Sequence, residues 1–219
     1  MRWMFAALLL LTGVCPVSAS QLVVHFSDEQ GKAVSDAVVT LAPDTLASPT
    51  SATPVPAAVT HIVDQKDEIF IPYVQIFRPG DSVVFRNSDT TRHHVYSFSD
   101  VKKFEFVLRP GESSPAIVLA KPGITAVGCN IHDQMIAYMV VSPASAIALS
   151  DQAGDAVLAD LPAGTYTVRV WHPQLPPGQD EPPQNVTIAA GAPTISRLTF
   201  KLSLMPDPRE SMDMDHVRD

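Results

Sequence analysis

Apolar and polar residues alternate along this chain in short runs, and no stretch holds a helical period. Leu22-Val-Val-His-Phe26 and Ala37-Val-Val-Thr-Leu41 read as two strands on either side of the turn Ser27-Asp-Glu-Gln-Gly-Lys32. Residues 42–58 are Pro, Ala, Ser and Thr with no apolar period, the texture of a linker or an exposed extended loop. Strand-like runs then follow at His61-Ile-Val63, Val74–Phe77, Ser82–Phe85, His94–Phe98, Phe104–Leu108, Ala116–Leu119, Gly123–Val127 and Met135–Val141. Pro-Gly turns at Arg78–Asp81, Arg109–Glu112 and Lys121–Gly123 punctuate them, and short strands at this spacing predict a sandwich or barrel. After Pro143 the runs are Ala146–Leu149, Ala156–Leu158, Leu161–Trp171, Asn185–Ile188 and Ile195–Leu202. There is no internal repeat.

Composition agrees with an all-β chain. The 219 residues hold 20 Pro against 10 Gly, with 17% charged residues, and a chain so rich in Pro does not form a helical bundle. A net charge of −8 argues against a basic nucleic-acid-binding surface. The N-terminus changes the picture more. Arg2, a short apolar run from Trp3 to Leu11 and small residues at Val17–Ser20 form a secretory signal peptide, expected over residues 1–20. The run is shorter than the roughly 20 apolar residues of a spanning helix, and no later segment is longer, so no transmembrane segment is expected after cleavage. Export points to the periplasm. It also removes Cys15, which leaves Cys129 as the mature chain's one cysteine. A lone thiol in an oxidising compartment is an intermolecular bridge, a reactive group or a metal ligand.

Cys129-Asn-Ile-His-Asp-Gln-Met135 places Cys, His and Met at spacings of three, in a tight loop between two strands. Upstream, Thr91-Arg-His-His-Val95 stands at the entrance of another strand. One of its histidines with Cys129 and His132 makes two imidazoles and a thiolate, and Met135 adds a weak axial thioether. That donor set belongs to blue-copper electron-transfer sites. Successive strand residues face opposite ways, so His93 and His94 do not easily reach one ion. The residues alone leave both open, with the alternation argument favouring His93 over His94.

Residues 58–142 resemble a cupredoxin. Ile71–Asn87 is similar to the strand-turn-strand ahead of the first copper histidine in plastocyanins, pseudoazurins and amicyanins, and the short ligand loop is most like amicyanin. Arg92–Phe98 and Gly128–Met135 resemble a bacterial methylamine-utilization or plastocyanin-like group more closely. The resemblance implies a Greek-key β-sandwich with one type 1 copper ion on His93, Cys129, His132 and Met135. It also implies a hydrogen bond from the His94 amide to the Cys129 sulfur. The family's loop histidine usually sits in an apolar patch, whereas His132 is followed by Asp133 and Gln134.

A second resemblance flanks the first. Ser27–Gly31 with Ala37–Val39, and Asp151–Gly154 with Leu161-Pro-Ala-Gly-Thr-Tyr166, are similar to the two halves of a carboxypeptidase-regulatory-like or transthyretin-like β-sandwich. The expected organisation is therefore residues 21–57 as the first part of that sandwich plus linker, 58–142 as an inserted or adjacent cupredoxin, 143–204 as the second part, and 205–219 as a disordered acidic tail. Tyr166 is expected to make a corner hydrogen bond.

The leading expectation is a periplasmic protein that carries single electrons between redox partners, a cytochrome or a dehydrogenase, and is not an enzyme by itself. The alternative is copper binding and handling without electron transfer, which the tail's Met205, Met212, Met214 and His216 would suit. A metal-free envelope module is a third. His25, His61 and His172 read as structural, and Gln65 as a residue that approaches the site without being required by spacing.

Overall fold

The computed structural model describes residues 20–44, 57–144, 146–179, 181–191 and 194–209. Of the signal-peptide reading at 1–20 only Ser20 is among these residues, and it opens the first strand; Cys15, residues 45–56 of the linker reading and the Met212, Met214 and His216 part of the tail lie outside them. All described secondary structure is β: β1 (Ser20–Asp28), β2 (Val38–Pro43), β3 (Thr60–Lys66), β4 (Ile69–Ile71), β5 (Val74–Phe77), β6 (Ser82–Asn87), β7 (His93–Ser97), β8 (Phe104–Leu108), β9 (Ile117–Val118), β10 (Gly123–Cys129), β11 (Ile136–Val141), β12 (Ala146–Leu149), β13 (Asp155–Leu161), β14 (Gly164–Trp171), β15 (Gln184–Ile188) and β16 (Ile195–Leu202).

Four sheets pack in two pairs. The first pair is β13-β1-β16 against β12-β2-β14-β15. Alternation in β1 sends Leu22, Val24 and Phe26 into their shared core, where they meet Val39, Leu41, Leu158, Val168, Ile188 and Phe200. Phe26 and Phe200 stack with centroids 5.8 Å apart. Each fully buried side chain of this size contributes about 1.5–3 kcal/mol through apolar burial. β1 pairs with β13 antiparallel and with β16 parallel.

Two matching turns set the edge of this pair. Asp28 Oδ1 accepts the amides of Gln30 and Lys32, and Asp151 Oδ1 accepts those of Ala153 and Asp155. Gly154 then runs so close to β1 that a Cβ would lie 2.5 Å from the Phe26 carbonyl oxygen, at a φ of +81°. Tyr166 donates its hydroxyl hydrogen to the Pro162 carbonyl at 2.9 Å.

The second pair is β5-β11-β10-β7-β8 against β4-β3-β6-β9. Its core holds Phe70, Phe77, Phe85, Val95, Leu119, Val127 and Met139, and also Cys129 and Met135. The chain leaves the first pair after β2 and re-enters it at β12, and these are neighbours: Leu41 lies opposite Ala146. A third cluster joins the pairs, with Val38, Tyr73, Val74 and Val140 buried and Tyr138 and Trp171 against them. The start of the expected disordered tail is packed. Gln174 and Met205 exchange hydrogen bonds, and the Arg209 guanidinium lies 3.4 Å above the Tyr73 ring.

Sequence reading and structure differ most at β4. Ile69-Phe-Ile71 is too short to show a period, and it forms a strand because Phe70 turns into the core against Phe85. β3 and β4 are joined through Asp67 and Glu68, both in the left-handed region at φ 53° and 59°.

Candidate metal centre

One end of the second pair gathers the donors. β10 runs into Cys129 at its last residue, and the following loop folds back on itself. Met135 N donates to the His132 carbonyl at 3.0 Å, and Cys129 N donates to the Met135 carbonyl at 3.1 Å. His132 is thus held over the cysteine. β7 brings His93 in from the neighbouring strand, with Cys129 opposite Val95.

His93, Cys129 and His132 place one donor atom each within 4.8 Å of one another. The Cys129 sulfur lies 3.8 Å from His93 Nδ1 and 3.7 Å from His132 Nδ1. Two donors on one first-row ion, with bonds of about 2.3 Å to sulfur and about 2.0 Å to nitrogen in a trigonal plane, stand about 3.7–3.8 Å apart. The donor set and its spacing therefore fit a soft or borderline transition metal such as copper. Among the described residues this is the only group of three or more His, Cys, Asp or Glu donors so close together.

Burial grades the site. His93 is wholly buried, Cys129 and Met135 nearly so, and His132 keeps an exposed edge. Met135 shares a core cluster with Cys129. Burial holds the His93 imidazole below its ordinary pKa, against the opposing pull of Asp89, and so favours the neutral ring that binds metals.

His94 points the other way. It sits half-exposed with Nε2 2.8 Å from Glu105 Oε1, and its carbonyl accepts the Asn130 amide at 3.0 Å. His25 pairs with Asp155, His61 lies between Asp81 and Gln75, and His172 contacts the Ser35 carbonyl; none joins the donor cluster. Gln65 is fully buried, with Nε2 donating to the Arg86 carbonyl and Oε1 without a protein partner.

The sequence reading did not find the carboxylates behind the histidines. Asp89 Oδ2 lies 3.2 Å from His93 Nε2, and Glu68 Oε1 lies 3.4 Å from His132 Nε2. Each is the outer nitrogen of its ring, opposite the one that faces Cys129. Asp89 is fixed by the Glu68 amide at 2.8 Å and the Thr90 amide at 2.8 Å. Burial raises the Asp89 carboxyl, but these hydrogen bonds and His93 outweigh it, and its pKa lies below the usual range. Asn87, wholly buried, ties the loop together: its side chain donates to the Thr91 and Leu108 carbonyls and accepts the Asp89 amide. Asn87-Ser-Asp89 before the His pair was a visible Asx pattern; nothing local marked Glu68.

No family model matches this chain, and no curated protein does. Among solved structures, a purple cupredoxin from Nitrosopumilus maritimus is 18% identical, covering 38% of this chain and 99% of its own, with a TM-score of 0.34. Amicyanin from Paracoccus versutus is 18% identical, covering 47% of this chain and 98% of its own, with a TM-score of 0.35.

Proposed function

We propose that this chain is an exported type 1 copper protein that carries single electrons between redox partners in the periplasm. The observation that carries the reading is the convergence of His93 Nδ1 and His132 Nδ1 on the buried Cys129 sulfur at 3.8 and 3.7 Å. Cys129, His93 and His132 would hold the ion, with Met135 as the weak axial ligand. Copper would supply the Cu(II)/Cu(I) couple; the protein supplies a rigid β frame whose mixed nitrogen and sulfur donors suit both states.

On this reading the protein would act as a carrier and not as an enzyme by itself, since His93, Cys129, His132 and Met135 would close a single copper ion within the protein's own donors. The exposed edge of His132, between Ile131 and Asp133, is where a partner would approach, and the acidic surroundings favour a basic face. Residues 58–142 would form a cupredoxin inserted into a discontinuous regulatory-like sandwich. Pairing of β1 with β13 and β16, and the adjacency of Leu41 and Ala146, support that organisation. Among the described residues no helix is long and apolar enough to cross a membrane.

The test is addition of Cu(II) to the purified mature protein, followed by visible and EPR spectroscopy. An intense thiolate-to-copper band, abolished in Cys129→Ala, is the expected outcome. Absence of that band in the unsubstituted protein would refute the type 1 site. A band without reversible one-electron cycling would leave copper handling as the function.

A further inference from the structure

We infer that Glu68 is a positioning residue for His132: its carboxylate, held by the β3–β4 turn, fixes the imidazole with Nε2–H outward and Nδ1 toward Cys129. The inference rests on the metal-site reading above and adds a residue to it.

The observations converge on one side chain. His132 is the ligand with an exposed edge, so packing alone constrains it least. The group at its outer nitrogen is Glu68 Oε1, at 3.4 Å. Glu68 Oε1 stands at ion-pair distance from His132 Nε2 without a hydrogen bond between them, so its negative charge acts through space: it favours the tautomer with the proton on Nε2 and leaves the Nδ1 lone pair facing the Cys129 sulfur at 3.7 Å.

The turn that delivers Glu68 is built against local preference. Asp67 and Glu68 both adopt positive φ, a two-residue hairpin turn for which Asn-Gly is the favoured pair. Left-handed geometry at two residues with side chains costs energy, and such strain persists where the surroundings over-determine it. Here the Glu68 amide donates to Asp89 Oδ2, and the same oxygen faces His93 Nε2 at 3.2 Å. One turn thus connects the outer nitrogens of both histidines. A glycine at 68 would relax the backbone and abolish the carboxylate.

A negative group on the outer nitrogen makes the imidazole a stronger donor and favours the more highly charged metal state. Removing it is expected to lower Cu(II) affinity relative to Cu(I) about tenfold, which raises the midpoint potential by about 59 mV for one electron.

The experiment compares the unsubstituted protein with Glu68→Gln, Glu68→Ala and Asp67→Asn/Glu68→Gly. In the metal-free proteins at fixed neutral pH, ¹⁵N NMR of His132 should show the Nε2–H tautomer in the unsubstituted chain and a tautomer mixture in Glu68→Ala and the double variant. After copper loading, Glu68→Gln should keep the thiolate band and show the raised potential. The double variant should melt at a higher temperature without metal, because the turn is relaxed, and still show the raised potential. An unchanged His132 tautomer in Glu68→Ala, or an unchanged potential in copper-loaded Glu68→Gln and the double variant, overturns the inference. Lack of a copper–thiolate band in the unsubstituted protein instead refutes the metal-site reading, and the metal-free NMR still decides the role of Glu68.

Discussion

The two packed pairs of sheets bury different things. The pair built from β1, β2 and β12–β16 buries aliphatic and phenyl side chains almost exclusively, with Ser20, Ser150 and His172 as polar exceptions. The pair built from β3–β11 buries an equally apolar core but ends in Gln65, Asn87, His93, Cys129 and Met135. Buried polar groups are tolerated where partnered: Asn87 ties the loop before His93, His93 faces Asp89 and Cys129, and Gln65 donates to the Arg86 carbonyl while its Oε1 has no protein partner. The first pair is a frame, and the second is a frame with one end where the His93, Cys129 and His132 donors gather.

The sharpest way to break this comparison is to weaken the frame. Phe26→Ala should lower stability by about 3–5 kcal/mol, through lost burial and the cavity left against Phe200. Denaturation followed by fluorescence would measure it. The copper–thiolate band per folded molecule should be unchanged. A parallel loss of the band would mean that the buried joint of Val38, Tyr73, Val74 and Val140 makes the two pairs one cooperative unit.

The next effect separates the pairs by pH. His172 is 3% exposed, and burial pushes its pKa down to about 4. Its Nε2 lies 3.1 Å from the Ser35 carbonyl and its Nδ1 accepts the Gln174 amide, so the neutral ring is fully used. With the folded pKa below the unfolded value, the unfolded chain binds the extra proton first. Stability from His172 is therefore complete above about pH 6.5 and is lost as the pH falls toward 4, by on the order of 3 kcal/mol. Urea midpoints between pH 7 and 4 should fall steeply, and His172→Gln should flatten that slope.

The smallest of the three sharpens the polar end. Asn87→Ala removes the side-chain donor to the Thr91 and Leu108 carbonyls and releases the Asp89 amide, at a cost of about 1–3 kcal/mol. Because Asp89 faces His93, the variant should also broaden the copper EPR signal, whereas Phe26→Ala should not. Equal spectra in the two variants would contradict the division between frame and chemical end.

Much of this was legible along the chain. Period-two runs located nearly every strand, since alternation is local and records which face is buried. The Cys-x2-His-x2-Met spacing and the His pair exposed the donor types, and alternation separated His93 from His94. β4 was not legible, because three residues carry no period. Glu68 was hidden for a related reason: Asp67-Glu68 lacks the Asn or Gly that usually announces a two-residue turn, and its backbone geometry is held by Asp89, twenty-one residues on.

The sequence by itself determined an all-β chain, a cysteine three residues ahead of a histidine, and two runs that share turn chemistry on either side of residues 58–142. The tertiary structure decided which strands pair across residues 58–142, with Leu22–Phe26 against β13 and β16, and which carboxylates stand behind His93 and His132. The reason is range. Side-chain alternation and turn preference act over a few residues, whereas strand partners and outer contacts are chosen when distant segments close a common core.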